Sequence, residues 1–169
     1  MKIAIGFDHA GYPLRELVTG LLAQLGHEVR DFGTHSAEPV DYPDFARKVA
    51  SAVSSGECER GIVVCGSGVG ASVAATKVPR VRAALCHDVF SARQGVEDDD
   101  MNVICLGARV IGPALAAEVL RAFLGAKFSG AERHVRRLEK VNTIEADACR
   151  GVFDGITTLS RGPGGPPNP

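Results

Sequence analysis

The sequence predicts an α/β fold in which a five-stranded parallel sheet is covered by helices on both faces. Five short apolar segments alternate with segments whose apolar residues recur at helical spacing. The strand segments are nearly continuous runs of hydrophobic residues, which is typical of parallel strands buried on both faces. Unusual turns follow the first and third segments. We therefore predict a doubly wound, Rossmann-like three-layer sandwich with strand order 2-1-3-4-5 and an additional C-terminal helix.

The first half of the chain contains three of the predicted strands. They span residues 2–7, 28–32 and 61–65. Pro13 is expected to open the helix between the first two strands, because proline suits a first helical turn, and Gly26 is expected to end it. Asp44 is the expected N-cap of the next helix. A short helix over residues 71–77 follows the third strand.

The second half contains the remaining two strands, over residues 81–86 and 103–106, with a helix from Val89 between them. A further helix runs from Pro113 to Gly125. Ser129 and Glu132 have the spacing of a capping box before a last helix that extends to about residue 148. We therefore predict one domain over residues 1–150. The Gly/Pro-rich tail over residues 151–169 is expected to be disordered.

Composition excludes several classes of protein. The 169 residues suit one domain, and a 45% hydrophobic content is sufficient for a core. A net charge of −1 argues against binding of nucleic acid or an anionic membrane through bulk charge. The N-terminal apolar stretch is too short for a signal peptide, and no apolar run has the length of a membrane span. The five cysteines lack a C-x-x-C spacing, which favours reduced thiols over disulfides or a metal site. We expect a soluble, cytoplasmic protein.

The sequence also predicts where a ligand would bind. The turns Asp8–Gly11 and Cys65–Gly70 follow the first and third strands. In a 2-1-3-4-5 sheet the strand order reverses between these two strands, and ligands bind beyond the carboxyl ends of the strands at such a reversal. Both turns are therefore expected to border one pocket.

The turn after Cys65 is suited to hold negative charge. Glycines at positions 66, 68 and 70 let backbone N–H groups face inward, and the start of the following helix adds positive potential. A phosphate would bind well there, and a thiol would be favoured as a thiolate, which is a usable base or nucleophile. The alternative is that Cys65 is an inert, buried apolar residue. Its place on the predicted ligand side favours the reactive interpretation.

The same turn also matches a dinucleotide-binding pattern, G-x-G-x-x-A, through Gly66, Gly68 and Ala71. Asp88 lies near the end of the next strand, about where an acid that binds ribose is expected. Against this alternative, the pattern usually occupies the first strand-to-helix turn of its unit, and that turn here is Asp8–Gly11.

Two other pairs of residues are candidates for chemistry. Asp8 and His9 end the first strand and could transfer protons and bind an anion, or could be a helix-capping aspartate beside a solvated histidine. Arg133 and Arg137 are four residues apart on the last helix, a spacing that can bind one phosphate from two sides. Their alternative is a solvated basic face.

Five separated motifs in this sequence resemble the type B ribose-5-phosphate isomerase family, which also includes galactose-6-phosphate isomerase subunits. They are FDHAG at 7–11, DYPDFA at 41–46, GIVVCGSGVGASVAATKV at 61–78, NVICLGARVIG at 102–112 and ERHVRRLE at 132–139. The resemblance implies interconversion of an aldose phosphate and its ketose through an enediolate, without a cofactor or a metal. Ribose 5-phosphate is the expected substrate. The alternatives are a hexose 6-phosphate and a non-catalytic sugar-phosphate or dinucleotide-binding protein.

The resemblance also implies a role for individual residues. Cys65 matches the base that moves a proton between C2 and C1 of the sugar. Ser67 matches a hydroxyl that shifts protons between the two sugar oxygens, and Asp8 matches a residue that contacts them and assists ring opening. The resemblance further implies that backbone amides of the turn stabilise the negative charge of the enediolate. These are the amides of Gly66, Gly68, Val69 and Gly70.

A phosphate clamp and a second subunit are implied in the same way. His9, Arg133 and Arg137 match the residues of the clamp, and Arg109 resembles an arginine supplied by the neighbouring subunit. A homodimer is therefore expected, with a dimer of dimers as the larger alternative.

One departure from the family concerns Asp98, which occupies the position of a histidine credited with opening the sugar ring from the partner subunit. A free aspartic acid is almost fully ionised at pH 7 and is a poor proton donor. Asp99 stands where some members have an asparagine that contacts the sugar. We keep Asp98 as a candidate catalytic residue, Asp99 as a candidate binding residue and His87 as a substitute acid. A different ring-opening step, another sugar and a silent binder all remain open.

Overall fold

A computed structural model of the chain describes residues 1–152. The tail that is predicted to be disordered spans residues 151–169. All of it except residues 151 and 152 lies outside the described residues, so the prediction stays open. Within them the α/β class is confirmed, because parallel strands alternate with helices along the chain.

The elements follow the predicted order, with a 3-10 turn at Tyr12–Leu14 leading into the first helix. The strands are β1 Lys2–Phe7, β2 Glu28–Asp31, β3 Arg60–Cys65, β4 Ala83–Leu85 and β5 Val103–Gly107. The helices are α1 Arg15–Gln24, α2 Tyr42–Ser54, α3 Val69–Ala75, α4 Val89–Asp99, α5 Pro113–Gly125 and α6 Glu132–Arg150.

The predicted strand order 2-1-3-4-5 is wrong at one edge of the sheet. The strands are all parallel, and their order is β2-β1-β3-β5-β4. Every residue of β5 is buried, and the strand pairs with β3 over five positions, whereas β4 has three residues and is partly exposed. The longer and more apolar strand therefore takes the central place, because it has more surface to bury. The neighbouring pair β1 and β3 is as predicted.

Apolar side chains from alternate strand positions form two cores, one on each face of the sheet. Buried Val, Leu, Ile and Phe side chains contribute about 1.5–3 kcal/mol each to stability. The core beneath α1, α4 and α5 includes Phe7, Val18, Leu22, Ile104 and Phe123. The core beneath α2 and α3 includes Ala4, Val49, Val63, Ala71 and Cys105. Cys65, the last residue of β3, belongs to the second core and lies at its upper rim.

Two predicted helix starts are wrong in detail. The N-cap position of α2 is held by Asp41, without a side-chain capping bond, and the predicted N-cap Asp44 lies inside the first turn. Helix α6 begins after Ala131, and no capping box forms. Ser129 instead accepts a hydrogen bond from the backbone N–H of Ala131 at 3.2 Å, and its hydroxyl lies 2.7 Å from Nδ1 of His134. A contact with the buried histidine five residues later thus takes the hydroxyl that the capping-box pattern assigned to the helix end.

Replacement of Gly11 by alanine is expected to destabilise the fold by about 1–3 kcal/mol. A β-carbon at this position would collide with the carbonyl oxygen of Val64, and a paired strand backbone cannot move aside as a flexible side chain can. Gly20→Ala is the matched control, because nothing lies within 4 Å of the added carbon on the exposed face of α1. That control is expected to be neutral or more stable by about 0.5–1 kcal/mol. Urea unfolding measures both differences, and an unchanged stability for Gly11→Ala would contradict the steric argument.

Candidate active site

A pocket of about 390 Å³ lies at the carboxyl ends of β1 and β3, where the sequence predicts a ligand site. Its wall combines the two predicted turns with residues from α2 and from the end of β5. The lining residues are Asp8, His9, Ala10, Tyr42, Cys65, Gly66, Ser67, Gly70, Arg109 and Val110. Six of the site residues predicted in the two turns therefore line one pocket, and Arg109 lines it as well.

Larger cavities occur elsewhere in the described part of the chain. One of about 730 Å³ lies along the outer face of α2, and one of about 450 Å³ lies between α6 and the edge formed by β4 and α4. Neither contains residues of the two turns. We assign the site to the smaller pocket because its lining carries the thiol, hydroxyl, carboxylate and basic groups that chemistry requires.

Cys65 is held at the base of the pocket by the turn that follows it. Its side chain is 4% exposed, and its sulfur accepts a hydrogen bond from the backbone N–H of Gly68 at 3.1 Å. Gly68 has a φ of +80°, and a β-carbon there would lie 2.9 Å from the carbonyl carbon of Leu106. Only glycine satisfies both requirements. The buried and the reactive interpretations of Cys65 are thus compatible, because the residue ends a core strand and also faces the pocket.

The other buried cysteines lie in different surroundings. Burial raises the pKa of Cys58, Cys86 and Cys105, and for Cys86, where nearby Asp88 adds to the effect, the pKa rises to about 11. These thiols are therefore neutral at physiological pH. Cys149 is exposed on α6, far along the chain from the two turns. Of the described cysteines, Cys65 is the one that lines the pocket.

Asp8 combines the two roles that the sequence left open. Its Oδ1 accepts a hydrogen bond from the backbone N–H of Gly11 at 2.7 Å, and its backbone carbonyl accepts from Tyr12 at 2.9 Å. The carboxylate therefore closes the turn before α1, as a capping aspartate would. It is 7% exposed and lines the pocket, and Oδ2 has no hydrogen-bond partner among the described residues. That oxygen is available to a ligand.

His9 and Arg109 supply basic groups to the pocket. Nδ1 of His9 lies 3.2 Å from both the backbone nitrogen and the carbonyl oxygen of Val40, so the backbone of Val40 holds the ring in either tautomer. The backbone N–H of Arg109 donates to the carbonyl of Gly66 at 3.0 Å, which ties the end of β5 to the cysteine turn. The resemblance assigned Arg109 to a neighbouring subunit. Here it lines the pocket of its own chain.

Four predicted residues lie away from this pocket. Asp98 and Asp99 end α4, and Asp99 lines the 450 Å³ cavity instead. Arg133 and Arg137 are exposed on α6 and do not line the pocket. Gly68 and Val69 belong to the cysteine turn without lining the pocket, and Val69 donates its N–H to the hydroxyl of Ser67 at 3.3 Å.

Asp88, which would bind ribose in a dinucleotide-binding protein, instead caps a helix. Oδ1 of Asp88 accepts a hydrogen bond from the backbone N–H of Ser91 at 2.7 Å, which caps α4, and this bond lowers the pKa of the carboxyl group. Asp88 does not line the pocket. The helix cap therefore accounts for an aspartate at this position.

Comparison with known proteins places this geometry in a family. The family model described as Ribose/Galactose Isomerase matches residues 3–141. The chain belongs to this family. The resemblance inferred from the five motifs is thereby confirmed.

Three relatives illustrate the match. The chain is 44% identical over 144 residues to ribose-5-phosphate isomerase B of Escherichia coli, which covers 85% of this chain and 96% of the relative. It is 41% identical over 146 residues to D-erythrulose-4-phosphate isomerase of Pectobacterium atrosepticum, covering 86% and 95% of the two chains. The solved structure of Clostridium thermocellum ribose-5-phosphate isomerase B superposes with a TM-score of 0.85 at 51% identity, covering 88% of this chain and 99% of that one.

Sequence reasoning missed Tyr42 in this member of the Ribose/Galactose Isomerase family. The tyrosine begins α2, is 39% exposed and lines the pocket opposite the glycine turn. A β-carbon at Gly70 would lie 2.7 Å from its ring, so the glycine leaves room for the aromatic side chain. The sequence feature that could have indicated Tyr42 is the DYPDFA motif at 41–46, which contributes to the family resemblance.

No helix within residues 1–152 is long and apolar enough to cross a membrane. No group of three or more His, Cys, Asp and Glu side chains in this part of the chain is arranged to hold a metal ion.

Proposed function

We propose that this protein interconverts ribose 5-phosphate and ribulose 5-phosphate. The observation that carries the proposal is the pocket itself: in a member of the Ribose/Galactose Isomerase family, a thiol, a hydroxyl and a carboxylate share one wall with basic side chains. The relatives named for this reaction are matched over nearly their whole length.

Cys65 is the proposed base. As a thiolate it takes the proton from C2 of the open-chain aldose, the C2–H electrons form the C1–C2 double bond, and the carbonyl oxygen on C1 becomes the enediolate oxygen. The thiol then returns the proton to C1, and a carbonyl forms at C2. The hydrogen bond from the Gly68 N–H to the sulfur supports this assignment, because such a donor stabilises the thiolate.

Protons and charge on the two sugar oxygens are handled by the rest of the turn. The hydroxyl of Ser67 is exposed at the pocket and relays a proton between O1 and O2, and Oδ2 of Asp8 contacts the same oxygens. Backbone N–H groups of the 66–70 turn stabilise the enediolate, and the loss of one such donor typically costs about 10²–10³ in rate. This route uses only groups of the chain, with no cofactor or metal.

The phosphate is bound by basic groups from two subunits of a homodimer. His9 and Arg109 lie in the pocket, whereas Arg133 and Arg137 lie outside it on their own chain. A sugar phosphate carries about −1.5 to −2 charges, which these side chains would neutralise. Exposed apolar residues at the pocket support a subunit interface there. Val110 lines the pocket and Val69 follows Gly68 in the cysteine turn, and both are more than half exposed. The cytoplasm is the proposed location, in keeping with the free cysteines.

A second sugar phosphate is a candidate substrate of the same site. The relative from Pectobacterium atrosepticum is named for D-erythrulose 4-phosphate and is nearly as similar to this chain as the one from Escherichia coli. The chemistry at C1 and C2 is the same for both sugars. Substrate length would then be set by the distance between the thiol and the phosphate clamp.

Replacement of Cys65 by alanine is expected to lower kcat by about 10²–10⁴ while leaving the fold intact, because the variant removes the general base and little volume. Cys149→Ser, which changes an exposed thiol on α6, is the matched control and keeps parental activity. Ketose formation from ribose 5-phosphate and circular dichroism measure the two effects. Near-parental turnover in Cys65→Ala would show that another group is the base.

A mixture of two impaired variants tests whether the site is shared between subunits. Cys65→Ala subunits lack the base and Arg137→Ala subunits bind phosphate weakly, so each variant alone has low activity at substrate concentrations well below the parental KM. Co-expressed and assayed under that condition, they are expected to recover about a quarter of parental activity, because random pairing leaves one intact site in each mixed dimer. No recovery, with mixed dimers demonstrated by mass spectrometry, would mean that Arg137 serves its own chain.

Thermal shifts separate the candidate ligands. A ligand at 100 times its Kd stabilises the native state by about 2.7 kcal/mol, so the preferred ligand raises Tm most at equal concentration. We expect ribose 5-phosphate to exceed erythrose 4-phosphate, glucose 6-phosphate and NADH. The largest shift with NADH would favour the dinucleotide alternative, and a shift with ribose 5-phosphate without ketose formation would indicate a non-catalytic binder.

A further inference from the structure

Helix α6 is attached to the domain at its start by polar groups rather than by an apolar face. His134 is the one buried residue among the 19 of this helix, with 3% exposure. Leu138 is half-buried, but the other larger apolar residues of α6 are more exposed, with Val141 at 50% and Ile144 at 64%. Amphipathic helices are ordinarily oriented by apolar burial. The orientation of the first turns of α6 therefore depends on the contacts of His134.

Those contacts form a cluster that joins α4, the loop before α6 and α6 itself. Nδ1 of His134 lies 2.7 Å from the hydroxyl of Ser129 and 3.3 Å from Oδ1 of Asp98. Oδ2 of Asp98 accepts a hydrogen bond from the side-chain amide of Gln94 at 2.9 Å. Ser129 also donates its backbone N–H to the carbonyl of Glu97 at 2.9 Å.

Both carboxylate oxygens of Asp98 are engaged within the chain. Oδ2 accepts the hydrogen bond from Gln94, and Oδ1 lies 3.3 Å from Nδ1 of His134, a contact that becomes an ion pair when the ring is protonated. The hydroxyl of Ser129 is hydrogen-bonded to the same Nδ1, so Asp98 and Ser129 together hold the imidazole. The position that the family resemblance associates with an acid is used here to hold a neighbouring helix.

The contacts of His134 also affect the two arginines beside it on α6, Arg133 and Arg137. A helix turns by about 100° per residue, so Arg133 and Arg137 lie about 100° and about 60° from His134 around the axis, both in the same direction. An anchored His134 consequently fixes the direction in which both arginine side chains leave the helix. A second attachment, from the N–H of Arg80 to Glu145 at 2.7 Å, is eleven residues further along the helix. It holds the other half of α6.

We propose that Asp98 is a positioning residue that orients Arg133 and Arg137 for phosphate binding by holding His134. The proposal rests on the function proposed above, in which these arginines bind the phosphate of the substrate. It replaces a role for Asp98 in ring opening. Asp98 acts through His134 and α6, without contact with the reacting carbons.

The test compares Asp98→Ala with Asp98→Asn, which keeps an acceptor oxygen for His134. Loss of an interaction made equally in the ground and transition states raises KM and leaves kcat unchanged. We expect Asp98→Ala to raise KM for ribose 5-phosphate about tenfold with kcat within about twofold, and Asp98→Asn to recover most of that loss. Glu97→Gln is the matched control and is expected to keep parental KM. It removes the neighbouring charge, which within residues 1–152 makes one exposed ion pair, with Arg93.

Two double variants decide whether Asp98 acts through the helix. In an Arg137→Ala or a His134→Gln background, Asp98→Ala is expected to change KM by less than about twofold, because coupled residues are non-additive. A full tenfold effect in both backgrounds would overturn the proposal. A fall in kcat at constant KM, or a higher kcat in Asp98→His with the ring form of the substrate, would overturn it as well.

A readout without turnover separates this proposal from the proposed function. The dissociation constant of inorganic phosphate, measured by calorimetry on the full-length parent and variants, is expected to rise in Asp98→Ala in parallel with KM and to be unchanged in Glu97→Gln. A parent without isomerase activity would refute the proposed function, while the phosphate series would still decide the role of Asp98. Equal phosphate affinity in the parent and Asp98→Ala would overturn the positioning role.

Discussion

The parallel pairing of β1 with β3 is the constraint on which the site depends. Their register aligns Phe7 with Val64, so Asp8 and Cys65 are the next residues of two adjacent strands. The Asp8 N–H donates to the carbonyl of Val64 at 3.2 Å, which extends the pairing to the edge of the sheet. A carboxylate and a thiol that are 57 positions apart in the chain therefore enter one pocket, and neither needs a long loop to reach it.

Glycine at a few positions lets the surrounding backbone come close enough to shape the pocket. Gly11 passes against the carbonyl of Val64, and Gly107 lies where a β-carbon would be 2.5 Å from the carbonyl oxygen of Ser67. The backbone N–H of Gly107 donates a hydrogen bond to Nε2 of His87 at 2.9 Å. This nitrogen of His87, the residue considered as a substitute acid, is therefore already in use as an acceptor. The cysteine turn is thus enclosed by backbone on both sides. Its position is determined by strands that are themselves buried in both cores.

The arginines proposed to bind phosphate are held in place by a different physical basis from that of the thiol. Cys65 and Asp8 end strands whose apolar residues are fully buried, and large burial energies hold them in place. Arg133 and Arg137 lie on a helix whose first turns are anchored through His134 to Asp98 and Ser129. The candidate base and carboxylate are therefore held by the buried sheet. Under the proposed role of Asp98, phosphate affinity would instead depend on a polar contact that one substitution in α4 can alter.

Local patterns in the sequence determined the strands, the helices, the edge at which ligands bind and the turn around Cys65, because hydrophobic period and glycine placement act over a few residues. Long-range packing decided the rest. It placed β5 between β3 and β4, brought Tyr42 to the pocket beside Gly70, gave Arg109 to the pocket of its own chain and paired Asp98 with His134. Each of these depends on which surfaces are buried against each other. These features are stabilised by contacts between residues that are distant in the chain. A pattern within a few neighbouring residues therefore cannot predict them.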